Sequence, residues 1–170
     1  MDKFGLDFSL LIAYLVPGSV VLAALSLYSG RIQQLLSGDH GGPSGSAVAA
    51  LAVLALALGI VTNAITWAMV RPLIHRTGVK RVAIQQRPTA ESFQAYKLII
   101  EHTFRYYQCY SNLLTALLIF AISYLLVNGC AGLPVACVVL IVAGVLFCAA
   151  RDSLERTYSR IETWLNKQGE

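Results

Sequence analysis

None of the 13 Lys and Arg or 9 Asp and Glu residues falls within Phe8–Gly30, Ala47–Val70 or Asn112–Ala150. These stretches hold most of the chain's Leu, Val, Ile and Ala. About 20 apolar residues span a bilayer's hydrocarbon core, and the third stretch is too long for one crossing. The pattern predicts an all-α integral membrane protein with four transmembrane helices, at about 8–28, 47–70, 112–127 and 134–150. The last two form a tight hairpin.

Of the 170 residues, 56% are hydrophobic and 13% charged, against roughly a quarter charged in soluble domains. The polar remainders Arg31–Ser46, Arg71–Ser111 and Arg151–Glu170 are each shorter than the roughly 50 residues of a small autonomous domain. The chain therefore reads as one four-span domain, with helical extensions at 88–111 and 151–167. An independent soluble enzyme domain is excluded on size.

Charge gives the orientation. Lys3, the cations from Arg71 to Arg105 and those from Arg151 to Lys167 make twelve of the thirteen, and Arg31 stands apart. If the chain crosses four times, these twelve share a side, which places both termini and the middle loop in the cytoplasm. Orientation and attraction to anionic headgroups account for the basic balance. The middle-loop cations are scattered rather than clustered, which argues against nucleic-acid binding. Met1–Asp7 sets Asp2 and Asp7 against Lys3, unlike the positive start of a signal peptide, so the first span is expected to be retained.

Within the spans, polar and small residues stand out. Pro17-Gly18 lies mid-way along the first span, where proline removes a backbone hydrogen bond and glycine eases distortion. The expectation is a kinked or broken helix. It is either accommodated by packing or acts as a hinge that exposes carbonyls such as that of Ala13. Ala55, Gly59 and Asn63 recur every four residues on one face, where a neighbouring backbone can approach closely. An amide in lipid needs a partner, so Asn63 reads as interhelical glue, or else as a pore-lining group. Gly132, Ala136, Gly144 and Cys148 suggest a similar face on the fourth span.

Two amphipathic stripes lie outside the spans. Pro88-Thr89-Ala90-Glu91 resembles a helix start. With no Pro or Gly before Gly129, Thr89–Val127 reads as one helix of about 58 Å. Its first half carries Phe93, Tyr96, Ile100 and Tyr107 at three-four spacing. Tyr106, Tyr107 and Tyr110 then form an aromatic belt, the sharper alternative being a nucleotide-stacking platform. Past Arg151, Leu154, Tyr158, Ile161 and Trp164 make the second stripe. It pairs with the first, within or between subunits, or lies on the inner leaflet. These stripes are the expected contact surface for a cytosolic partner.

The chemistry that intramembrane enzymes and proton-coupled transporters require is missing. No His or acid lies in any span, and no Walker A, G-x-G-x-x-G, H-E-x-x-H or paired-cysteine metal motif occurs. Cys130 alone is expected to face the outside, where one thiol cannot pair within the chain, and the cysteines otherwise read as small buried hydrophobes. No catalytic residue, metal or cofactor is therefore expected.

The organisation, with four spans, cytoplasmic termini, a helical extension before Asn112 and a short amphipathic tail, resembles small membrane components of bacterial antiphage and toxin–immunity operons. That resemblance implies an oligomeric, multi-pass protein of the bacterial inner membrane. It would anchor or sense, coupling the lipid bilayer to a cytosolic partner. The alternative is a homo-oligomeric pore or membrane-perturbing effector. Pro17 and Gly18 would serve deformation, and Asn63 helix association.

Overall fold

In a computed structural model the described residues, 3–37, 44–79 and 104–167, are helical apart from short connections and contain no strand. The helices are α1 (Lys3–Ser26), α2 (Gly30–Ser37), α3 (Gly45–Arg76), α4 (Arg105–Asn128) and α5 (Leu133–Lys167). Side chains are described for residues 12–37, 44–79 and 104–163.

Each helix begins or ends where local chemistry requires. The Ser44 hydroxyl accepts the Ala47 N–H at 3.3 Å and caps α3, satisfying one of the first-turn donors that have no intrahelical partner. At its other end α3 runs six residues past the expected span, through Pro72 to Arg76. It stops at Gly78, whose φ of 95° suits a residue without a Cβ. Gly129, at φ 55°, ends α4 in the same way. One 3₁₀ turn, Gly129–Gly132, then leads directly into α5. Pro134 falls in the first turn of α5, where its missing N–H costs nothing.

Three sequence expectations change here. Of the kinked or broken helix expected at Pro17, the break does not occur: α1 continues as helix from Lys3 to Ser26, with Pro17 buried. The first polar connection contains α2, whose Ile32, Leu35 and Leu36 give it an amphipathic pattern too short to stand out in the sequence. The fourth span and the terminal stripe belong to one unbroken helix, because nothing between Ala150 and Lys167 interrupts the hydrogen-bond ladder. The expected start at Pro88–Glu91 lies outside the described residues.

Helix directions follow from the contacts. α1 and α4 run parallel, since Tyr14 meets Gln108 and Tyr28 meets Ser123. α3 is antiparallel to both: Asn63 faces Gln108 and Trp67 faces Phe104. α5 returns along the other face of α4, with Tyr124 against Gly132 at the turn and Tyr107 near Leu154 in a shared core at the far end. That core joins Val70, Ile74 and Val79 to Tyr107, Leu114, Ala143, Ala150 and Leu154.

Small residues line the buried seam of α5, and the exterior is largely apolar. Ala136, Ala143 and Ala150, seven residues apart, are the buried small residues of α5. Their spacing keeps one seam of the helix against α4. Gly144 and Cys148 lie off that seam and are exposed, so Gly144 is not a contact within the chain, contrary to the small-residue face read from the sequence. The stretches Gly45–Arg76 and Arg105–Thr163 are long and apolar enough to cross a membrane, with only 17% of their most apolar windows buried. Val53, Ile60, Met69, Ile122, Leu126, Val138, Ile141 and Val145 are each more than half exposed.

Candidate functional site

A seam of polar side chains runs through the bundle where α1, α3 and α4 meet. Its first part is a bridge across all three helices. The Gln108 Nε2 donates to the Tyr14 hydroxyl at 2.8 Å and to the Asn63 Oδ1 at 3.1 Å. One side-chain amide thus ties the two neighbouring helices to α4. An amide in apolar surroundings costs several kcal/mol if unpaired, of order 2–7 by transfer. This bridge answers where Asn63 finds its partner: inside the same chain.

Next to it lies a hydroxyl cluster. The Thr66 Oγ1 lies 2.7 Å from the Thr115 Oγ1, and each also lies within hydrogen-bond distance of a carbonyl of its own helix, Thr62 and Ser111 respectively, so one hydroxyl donates across the interface while the other donates to its own helix. The Ser111 hydroxyl returns to the Tyr107 carbonyl at 2.7 Å. Thr62, Thr66, Ser111 and Thr115 are all buried. Back-bonding of this kind lets a hydroxyl sit in an apolar interior with its donor satisfied by its own helix, while its oxygen accepts from the partner hydroxyl across the interface.

Asn112 is the exception. It is fully buried, yet neither its Oδ1 nor its Nδ2 has a hydrogen-bond partner among the described residues. It lies one turn beyond Gln108 on the same face of α4. The Tyr14–Gln108 and Tyr28–Ser123 bonds keep offsets of 94 and 95 residues between α1 and α4, so Asn112 stands level with Gly18.

Gly18 and Gly59 bring the backbones of α1 and α3 together at that level. A Cβ on Gly18 would overlap the Ala55 carbonyl, and one on Gly59 would overlap the carbonyl of Tyr14. Pro17 precedes the crossing and is buried. Of the residues singled out for helix packing, Pro17, Gly18, Ala55, Gly59 and Asn63 therefore converge, and Gly144 does not.

The charged end of the bundle carries a second arrangement. The Arg71 guanidinium lies over the Trp67 ring, 4.1 Å from its centroid. The His75 ring stacks on Tyr158 at 6.1 Å and 17°, with its Nδ1 3.2 Å from the Val79 carbonyl. The Arg71 Nε and His75 Nε2 are buried without partners among the described residues. Tyr107 and Leu154, read from the sequence as a surface for an outside partner, are buried in the core, and Tyr158 packs against them. The stripes thus meet each other within the chain at these three positions. Phe93, Tyr96, Ile100 and the Trp164 side chain lie outside the described residues.

The sequence reading missed Tyr14, Gln108, Thr66, Thr115 and Asn112. Gln108 had a usable signal, being an amide on the face that continues into the apolar run at Asn112. Among the described residues no group of His, Cys, Asp and Glu could hold a metal ion. No protein-family model matches the chain, and no curated protein or solved structure is significantly similar to it.

Proposed function

We propose that this chain is a multi-pass membrane protein of the bacterial inner membrane. It acts as a non-catalytic anchor or sensor subunit that couples the bilayer to a cytosolic partner, in an antiphage defence module. The observation that carries this reading is the division of α5. Its exposed positions are apolar from Leu133 through Val145, then charged at Arg151, Asp152, Glu155, Arg156, Arg160 and Glu162. One rigid helix of 35 residues, about 52 Å long, therefore joins a surface suited to lipid to one suited to water.

Helix directions support the same reading. α1 and α4 run one way and α3 and α5 the other, an arrangement that fits four crossings. Arg71, Arg76, Arg105, Arg151, Arg156 and Arg160 then gather at one end, facing the cytoplasm by the positive-inside bias. The partner surface is assigned to the exposed, charged face of the α5 tail, because Tyr107 and Leu154 are consumed inside the chain. The chain works as an oligomer, and its exposed apolar faces serve contacts with lipid and with other copies.

The test is affinity purification of the tagged protein from its host, followed by the intact mass of the detergent complex. A stoichiometric soluble partner, lost in a Glu155→Lys/Glu162→Lys variant that still inserts, is the expected result. A pure homo-oligomer that conducts ions in liposomes would replace this reading with a pore.

A further inference from the structure

The polar seam is internal, but a second feature opens to the outside at the charged end of the hairpin. Between α4 and α5 lies a groove of about 560 Å³, lined by Tyr106, Tyr110, Asp152, Ser153, Arg156 and Arg160. We propose that it binds the headgroup of an anionic phospholipid, with the phosphate held by Arg156 and Arg160. The proposal rests on the membrane reading above.

The groove is built from two ladders with a one-turn rise. Tyr106 and Tyr110 stack along α4, their centroids 6.4 Å apart and their planes at 28°. Asp152, Arg156 and Arg160 follow one another every four residues along α5, on a single face. Tyr106 is 60% exposed, so its ring forms a wall of the groove rather than part of the core.

Each residue type suits a headgroup. A guanidinium presents a planar set of donors that matches phosphate oxygens two at a time. Arg156 is paired with Asp152 at 2.9 Å, but both side chains are more than half exposed. Such a pair contributes little and exchanges readily for a stronger anion. Arg160 lines the same groove one turn further along α5. The phenol hydroxyls can donate to phosphate or glycerol oxygens. The Asp152 carboxylate and Ser153 hydroxyl can receive hydroxyls from the headgroup, which favours a glycerol-bearing lipid over a bare phosphate.

Depth supports the same occupant. Arg151 is the first charge after the uncharged run that ends at Ala150, and the exposed Ile141 and Val145 lie two to three turns from it. The groove therefore sits where α5 changes from apolar to charged, the level at which tyrosines and arginines meet headgroups. Acyl chains can continue from it along the apolar exterior.

The experiment is native mass spectrometry of the purified full chain in a neutral maltoside detergent, titrated with phosphatidylglycerol, phosphatidylcholine or inorganic phosphate. Phosphatidylglycerol adducts are expected to be favoured over phosphatidylcholine. They should weaken by about tenfold or more in Arg156→Gln/Arg160→Gln, as expected for loss of charge-assisted contacts. The charge-matched Arg31→Gln/Arg76→Gln variant should bind as the wild type does. If the double arginine variant fails to fold by circular dichroism, Tyr106→Ala carries the same expectation.

Equal binding of both lipids, or of phosphatidylglycerol to wild type and variant, would overturn the proposal. Displacement of the lipid by millimolar inorganic phosphate would reassign the groove to a free phosphate compound. Carbonate extraction of native membranes separates the two readings. Release of the protein sinks the membrane reading itself, whereas retention without lipid preference sinks only the groove.

Discussion

Gly18 of α1 and Gly59 of α3 pack so closely that each occupies a place where a Cβ would strike the backbone of the opposite helix. Neither glycine has a positive φ, so the requirement is for space and not for backbone freedom. In lipid, helix association depends on such close packing and on interhelical hydrogen bonds, because apolar burial offers no gain over acyl chains.

Gly59→Ala is therefore expected to destabilise the protein by about 1–3 kcal/mol, the usual cost of overpacking. Gly144→Ala meets nothing within 4 Å and should raise helix stability slightly, since alanine exceeds glycine in helix propensity by about 1 kcal/mol. Thermal unfolding in one detergent compares the two. Equal midpoints would show that the α1–α3 crossing is not this tight.

The Gln108 bridge makes a different prediction for Asn63. Because its partner is on the same chain, Asn63→Leu should lower the unfolding free energy by up to about 1–2 kcal/mol while leaving the subunit number unchanged. A double-mutant cycle with Gln108→Leu should give a coupling of about 0.6 kcal/mol. Dissociation of the oligomer by Asn63→Leu would instead place the amide between subunits.

Asn112 should behave in the opposite sense. A buried amide with both atoms unpaired carries a desolvation penalty of about 1–3 kcal/mol. Asn112→Leu, of similar size, is thus expected to stabilise the fold in equilibrium unfolding. Loss of stability would show that the amide finds a partner in the assembled protein.

At the charged end, Leu154→Ala empties a fully buried position between α3, α4 and α5. A loss of about 2–5 kcal/mol is expected, measured by denaturant unfolding. Glu155→Lys, on the exposed face of the same helix, should cost little. If both variants unfold alike, the terminal part of α5 is not docked on α4.

The uncharged runs alone determined that the chain is helical and apolar along Ala47–Val70 and Asn112–Ala150. The breaker Gly129 marked where a helix stops. Both are local properties: hydropathy sums over neighbours in sequence, and a positive φ excludes most side chains wherever the residue sits. The four-residue spacing of Ala55, Gly59 and Asn63 likewise placed them on one face without naming what that face meets. Only the tertiary structure decided that Gly18 meets Ala55 and Gly59, that Asn63 is held by Gln108, and that Tyr107 and Leu154 close on each other instead of waiting for a partner. Those pairings join residues 37 to 47 positions apart. Which faces meet depends on how the helices rotate about their own axes, a quantity that packing sets and periodicity leaves free. Gly144 shows the limit: its spacing matched a packing face, but rotation of α5 put Ala136, Ala143 and Ala150 against α4 and turned Gly144 outward.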